Sequence, residues 1–156
     1  MGRIKLSCWG LFFLCLLSCS EKEVFTRFHS VPNGSWNREE PAVFEISISD
    51  TLSFYNLNLV IRNNDDYPFQ NLWLFIDRKN PEGTTLSDSL NMELADVYGK
   101  WHGKGISLYS LTIPYKTGLQ FPVGGDYTYS IRQGMRENPI KGISDIGLVL
   151  SKKSTQ

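Results

Sequence analysis

Few side chains in this sequence can make or break bonds, and their types and spacing limit the available chemistry. The two histidines, His29 and His102, are far apart in the chain. No HExxH or CxxC pair, phosphate-cradling G-x-x-x-x-G-K-[ST] loop or G-x-S-x-G elbow occurs, and these spacings set up metal, redox, nucleotide and acyl-transfer chemistry. Glu39-Glu40 and Asp65-Asp66 are adjacent carboxylates. General acid/base work needs two carboxyls across a cleft with separated pKa values, whereas neighbours in a polar turn are solvated. Asn63-Asn64-Asp65-Asp66 could offer oxygens to calcium but lacks the alternating ligands and glycine of a calcium loop; it reads as a turn ahead of Tyr67-Pro68. Sixteen basic residues balance sixteen acidic ones, so no basic surplus points to nucleic acid. The expectation is a protein with no catalytic residues, no metal and no cofactor.

One nucleophile stands in a prepared setting. Arg3 and Lys5 open the chain without an acid, and Trp9 to Leu17 is apolar apart from Gly10 and Cys15. A basic start and 7–15 apolar residues make a secretory signal, too short to span a bilayer, which takes about 20. Leu16-Leu17-Ser18-Cys19 then has the form of a lipobox: aliphatic, tolerant, small, cysteine. Cleavage before Cys19 would leave its thiol to carry a diacylglycerol and fatty acyl chains such as palmitate. Each buried methylene contributes about 0.8 kcal/mol, and one chain holds only reversibly, so two or three anchor a domain that has no transmembrane helix. Met1-Gly2 does not make a myristoylation signal, because the sixth residue is Leu6. Cys8 and Cys15 leave with the signal and no cysteine follows Cys19. The mature domain must therefore be stable without a disulfide.

The rest of the chain has the two-residue period of strands. Residues 42–49 alternate Phe44, Ile46 and Ile48 with Val43, Glu45, Ser47 and Ser49; 54–63 put Tyr55, Leu57, Leu59 and Ile61 on one face. Residues 71–78 set Leu72, Leu74 and Ile76 opposite Trp73 and Phe75, so both faces should be covered. Segments 24–30, 106–115, 126–133 and the run from Asp145 are further strands, and 87–96, with Leu90, Met92 and Leu94, is another. Turn signals lie between them at Pro32-Asn33-Gly34, 63–68, 80–83, 124–126 and Asn138-Pro139. No helical stripe interrupts the series. The expected fold is all-β, an antiparallel sandwich of immunoglobulin-like or jelly-roll-like type. Its organisation should be a signal peptide at 1–18, a lipidated N-terminus and tether at 19–23, one domain at 24–152 and a frayed tail at 153–156.

Residues 96–109, DVYGKWHGKGISLY, stand out. Gly99, Gly103 and Gly105 interleave with Tyr98, Trp101 and His102. Two readings fit: an exposed aromatic platform for a glycan, peptide or partner, or a glycine-rich hairpin whose Trp101 plugs the end of the sandwich. Asp50-Thr51-Leu52 and Asp88-Ser89-Leu90 both match the loose Asp-[Ser/Thr]-apolar pattern of O-glycosylated periplasmic proteins in Bacteroidetes.

The stretches FYNLNLVIRNNDDYPFQNLWLFI (54–76), LADVYGKWHGKG (94–105) and GGDYTYSIRQGMRENPIKGISDIGLVLSK (124–152), together with the lipobox, resemble the gliding motility lipoprotein GldH family of Bacteroidetes. The resemblance implies an outer-membrane lipoprotein tied to gliding and to type IX secretion, with envelope proteins as partners and no enzyme activity. It singles out Arg62, as partner to Asp126 or Asp145; Tyr67-Pro68, as a fixed turn; Gly142 and Gly147, as bend or bulge sites; and Arg136, as an interface anchor. A non-enzymatic scaffold is the expected function, and a glycan-binding sandwich using Tyr98, Trp101 and His102 is the alternative. Replacing Cys19 by Ala should leave an uncleaved or soluble protein, while the wild-type mature N-terminus carries lipid by intact mass. An unmodified wild-type N-terminus would refute the anchor.

Overall fold

A computed structural model describes residues 21–153. The expected signal peptide, Cys19 and the last three residues lie outside the described residues. The chain forms β1 (Lys22–Ser30), a 3-10 turn at Pro32–Gly34, β2 (Ser35–Trp36), β3 (Ala42–Ile48), β4 (Tyr55–Asn64), β5 (Asn71–Lys79), β6 (Thr85–Glu93), β7 (Leu108–Leu119), β8 (Gly125–Gln133), β9 (Ile140–Lys141) and β10 (Ile143–Lys152). Every segment read as a strand is one. The small β2–β9 pair had no period long enough to show in the sequence. The first strand begins at Lys22, inside the expected tether, and Lys152 belongs to the last one.

Two four-stranded antiparallel sheets face each other, ordered β1-β10-β4-β7 and β3-β8-β5-β6. The order is that of a jelly roll. Taken from the outside in, β1 pairs with β10, β3 with β8, β4 with β7 and β5 with β6. This is one long nested hairpin, rolled so that β10 also meets β4 and β8 also meets β5. Such rolls bring the return half of the chain into both sheets, which separates this domain from the immunoglobulin-like alternative.

The two-residue period decides what fills the space between the sheets. Phe44, Ile46 and Ile48, Leu57, Leu59 and Ile61, Leu72, Leu74 and Ile76, Tyr127, Tyr129 and Ile131, and Ile146, Leu148 and Leu150 are all buried. Burying each such side chain is worth about 1.5–3 kcal/mol, which replaces the missing disulfides. Tyr55, Phe121 and Tyr127 close one end with edge-to-face ring contacts at 5.4 and 4.8 Å. At that end Asp50 takes hydrogen bonds from Lys152 Nζ (2.6 Å) and Ser53 Oγ (2.7 Å). The Lys152 bond holds the Asp50 carboxyl well below the usual carboxylate range.

One expectation fails. Strand β5 is covered on one face only: Leu72, Leu74 and Ile76 are buried, but Trp73 is 42% and Phe75 43% exposed. In a two-layer sandwich the outer face of a sheet has no third layer to cover it, and the residues opposite, Asn91 and Ser89 of β6, are too small to do so. Arg62, by contrast, is placed as expected. It lies 4.1 Å from the centre of the Phe28 ring and 3.9 Å from Asp145, while Asp126 accepts a bond from Ser47 instead.

Direction along the strands is fixed by the nesting. β1 starts at Lys22, three positions after Cys19 in sequence, so that end of the sandwich is the one next in sequence to the expected anchor. Loops 64–70, 94–107 and 134–142 all lie at the opposite end, because β4, β6 and β8 run away from the start of β1 and β5, β7 and β10 run back. A nine-residue strand is roughly 30 Å long. Gly142 ties the distal loops together: its carbonyl accepts from Asn64 N–H (2.9 Å), its own N–H donates to Gly34 (2.8 Å), its φ is +82°, and a Cβ there would sit 2.2 Å from Tyr67 N. Gly142→Ala should therefore cost about 1–3 kcal/mol for the backbone conformation alone, plus the clash. The expected result is a melting point lower by several degrees, with Gly99→Ala, which meets no neighbour within 4 Å, less affected.

Candidate functional site

The distal end carries two groups of candidate residues, built differently. The first is the loop from Leu94 to Gly105. Asp96 organises it: its Oδ1 accepts the N–H groups of Tyr98 and Lys100, both at 2.9 Å, and its backbone carbonyl accepts from Gly99 N–H (2.9 Å) and Gln70 Nε2 (3.0 Å). The Lys100 N–H bond leads in holding the Asp96 carboxyl below its ordinary value. Gly105 allows the return of the chain, since a Cβ there would lie 1.8 Å from the Leu108 carbonyl oxygen.

Within this loop the three aromatic or imidazole residues part ways. Trp101 packs partly buried against the core, its ring centre 5.8 Å from Tyr109 and 6.3 Å from Tyr67, and its Nε1 donates to Asp65 Oδ1 at 3.1 Å. Tyr98 is 93% exposed. His102 stands half-exposed with Nε2 3.7 Å from Glu93 Oε1. The three form no row of open rings. Asp65, one of the paired carboxylates, serves as the acceptor that seats Trp101, and Asp66 N–H is bound by Asn64 Oδ1 (3.0 Å) within its turn.

The second group surrounds Arg136. Its loop is braced from below: fully buried Gln133 donates through Nε2 to Asn138 Oδ1 (3.0 Å) and accepts Met135 N–H on Oε1 (2.8 Å), while Arg38 Nη2 donates to the Met135 carbonyl. Gly134 N–H donates to the Trp73 carbonyl (2.7 Å), and the Phe75 ring leans over Gly134, 2.8 Å from where a Cβ would be. Arg136 is therefore exposed on a fixed loop beside open aromatic rings, in a groove of 380 Å3 lined with Phe69, Asn71, Trp73 and Phe75. Sequence reading found Arg136 but not Trp73 or Phe75. The available signal was the serine and asparagine alternation of 87–91, which leaves the strand opposite them uncovered.

The other sites read from the sequence are structural or solvent-facing. Asp50 caps its own turn, accepting Leu52 N–H at 3.0 Å. Ser89 is exposed on the outer face opposite Phe75, and Asp88 is bound by Lys116 Nζ at 2.6 Å.

The molecule is thus a jelly-roll β-sandwich with its candidate surfaces at and beside the end opposite the start of β1. Residues 23–150 match the family model of the GldH lipoprotein. The chain is 32% identical to the gliding motility lipoprotein GldH of Flavobacterium johnsoniae, covering 97% of this chain and 99% of that one. It is also 32% identical to a gliding motility lipoprotein GldH homolog of Christiangramia forsetii, over 86% of this chain and 87% of that one. The chain belongs to the GldH lipoprotein family.

Trp101 and Tyr98 should separate sharply on substitution. Trp101→Ala removes a ring in contact with Tyr67, Tyr109 and Asp65, and should cost about 3 kcal/mol. Tyr98→Ala, at an exposed position, should stay within about 0.5 kcal/mol. Denaturant melts of the two variants provide the check.

Proposed function

We propose that this lipoprotein sits in the outer membrane, anchored through Cys19, and acts without catalysis as an accessory or scaffold of the gliding and type IX secretion machinery. The observation that carries the reading is the match, over 97% of this chain and 99% of the relative, to a protein named for gliding motility. The carboxylates with shifted pKa values are consistent with a non-enzymatic role. Asp50, Asp88 and Asp96 are held low chiefly by Lys152, Lys116 and the Lys100 N–H respectively, and each of these contacts is a turn or inter-strand clamp. Polarity adds to this: the lipid lies at one end of the sandwich and the loops of Trp101 and Arg136 at the other, roughly 30 Å away. An exposed arginine on a braced loop has the composition of an interface anchor.

The test is fractionation and gentle crosslinking in the cells that make the protein. It should float with outer-membrane markers and co-purify with gliding or secretion components. Arg136→Ala should weaken that capture by roughly thirtyfold, the scale of a hot-spot truncation of about 2 kcal/mol, with an unchanged melting point. Recovery in the inner membrane, or capture of none of those components, would overturn the reading.

A further inference from the structure

The outer face of β5 is an open strip. Asn71, Trp73, Phe75 and Asp77 point outward from alternate positions, spanning about 20 Å. The groove beside Trp73 continues past Phe75 into a second one of 400 Å3, lined by Asp77, Ser87, Ser89 and Arg132. The frame of the strip is polar and planar. Asn71 Nδ2 donates to Asn91 Oδ1 at 2.7 Å, Arg132 Nη2 to Asp77 Oδ2 at 3.0 Å, and Ser87 Oγ to Asp77 Oδ1 at 2.6 Å. The flanking positions Ser87, Ser89, Asn91, Ser130 and Gly134 are small and leave the rings uncovered.

We infer that this strip is a binding site for an oligosaccharide. A sugar ring has a face of C–H bonds and a rim of hydroxyls. An aromatic ring, negative over its face, attracts the first. Amide, carboxylate and guanidinium groups, each with donors or acceptors in one plane, suit the second. Here two rings one pleat repeat apart are bounded at both ends by such groups. Arg132 is neutralised by Asp77, so the middle of the strip does not select for a strong anion.

Magnitude argues against a protein partner on this strip. Large aromatic side chains bury about 150–250 Å2 each, so two rings exposed by 42% and 43% offer on the order of 150 Å2 of apolar surface. A stable interface takes about 800 Å2 per partner around an apolar centre, and beyond partly buried Phe69, buried Met135 and the single side chain of Val43 the strip's neighbours on this face are serine, asparagine and charged residues. The area fits the faces of one or two sugar rings. The inference does not depend on the assembly proposed above: the saccharide site and the gliding partner can each fail alone.

The experiment uses the full lipidated chain in nanodiscs. The probes are β-1,4-linked glucose and N-acetylglucosamine tetrasaccharides, an α-mannotetraose, and polysaccharide extracted from the envelope of the producing cells. Binding is followed by calorimetry and by protection of tryptophan fluorescence from quenching. At least one probe should bind. Trp73→Ala and Phe75→Ala should each weaken it at least tenfold while the domain stays folded at the assay temperature, and Tyr98→Ala should leave it unchanged. The inference is overturned if no probe binds, or if binding survives Trp73→Ala. It is equally overturned if a photo-crosslinker at Phe75 captures polypeptide and no carbohydrate, or if intact mass finds a covalent glycan on Ser89 where a free ligand was expected.

Discussion

The pairing of the first strand with the last governs this domain. β1 joins β10 from Lys22↔Lys152 to Ser30↔Asp145, and β10 lies between β1 and β4 in the middle of its sheet. The β1-β10-β4-β7 sheet is not complete until the C-terminal strand arrives, because β1 has no other partner in it. Loop-closure entropy rises only by about 0.6 kcal/mol for each doubling of length, so a closure spanning the whole domain is thermodynamically mild. It is kinetically demanding, because non-local pairing must precede its reward. The reward is Ile146, Leu148 and Leu150, each wholly buried, entering a core that already holds Leu57, Leu59 and Ile61 across the ladder. No disulfide assists among the described residues, so the fold rests on this late burial.

The same pairing orients function. Measured from the start of β1 at Lys22, the nested hairpin sends every β4–β5, β6–β7 and β8–β10 connection to the far end. The chain's glycine-marked and arginine-bearing loops are thus held by the sandwich itself at the end opposite the start of β1. Gly142, pressed against Tyr67 N, makes those loops one unit, so a displacement of the 63–68 turn would be felt at the Arg136 loop.

Strands were legible because one face of each strand meets the core and a two-residue period records that. The inner residues of 42–48 and 55–61 could be named from the sequence. The pairing order could not: the same eight periods serve an immunoglobulin-like or a jelly-roll roll-up, and the choice lies in which partners meet, as when Phe75 finds Ser89 on one side and Arg132 on the other. The candidate site was half legible for the same reason. Arg136 and the Trp101 loop were marked by composition. Trp73 and Phe75 read as core, because a large aromatic in a hydrophobic strand usually is, and their exposure depends on the small size of residues distant in sequence.

Trp101 and Trp73 show how neighbours assign a role to one residue type. Trp101 has Tyr67 and Tyr109 on its ring and Asp65 on its Nε1, so its surface is already spent on stability. Trp73 has its backbone fixed by Gly134 N–H and by the Met135 sulfur at 3.3 Å from its N–H, while its ring is left open. Covering the exposed parts of Trp73 and Phe75, on the order of 150 Å2, would release about 4 kcal/mol at about 25 cal/mol per Å2. Association itself consumes at least that much, so the rings alone give weak attraction. Useful affinity must come from the polar frame of Asn71, Asp77 and Arg132, or from many lipid-anchored copies engaging one extended ligand at once. A surface of this kind, fixed in place and individually weak, suits a protein displayed in numbers on a membrane.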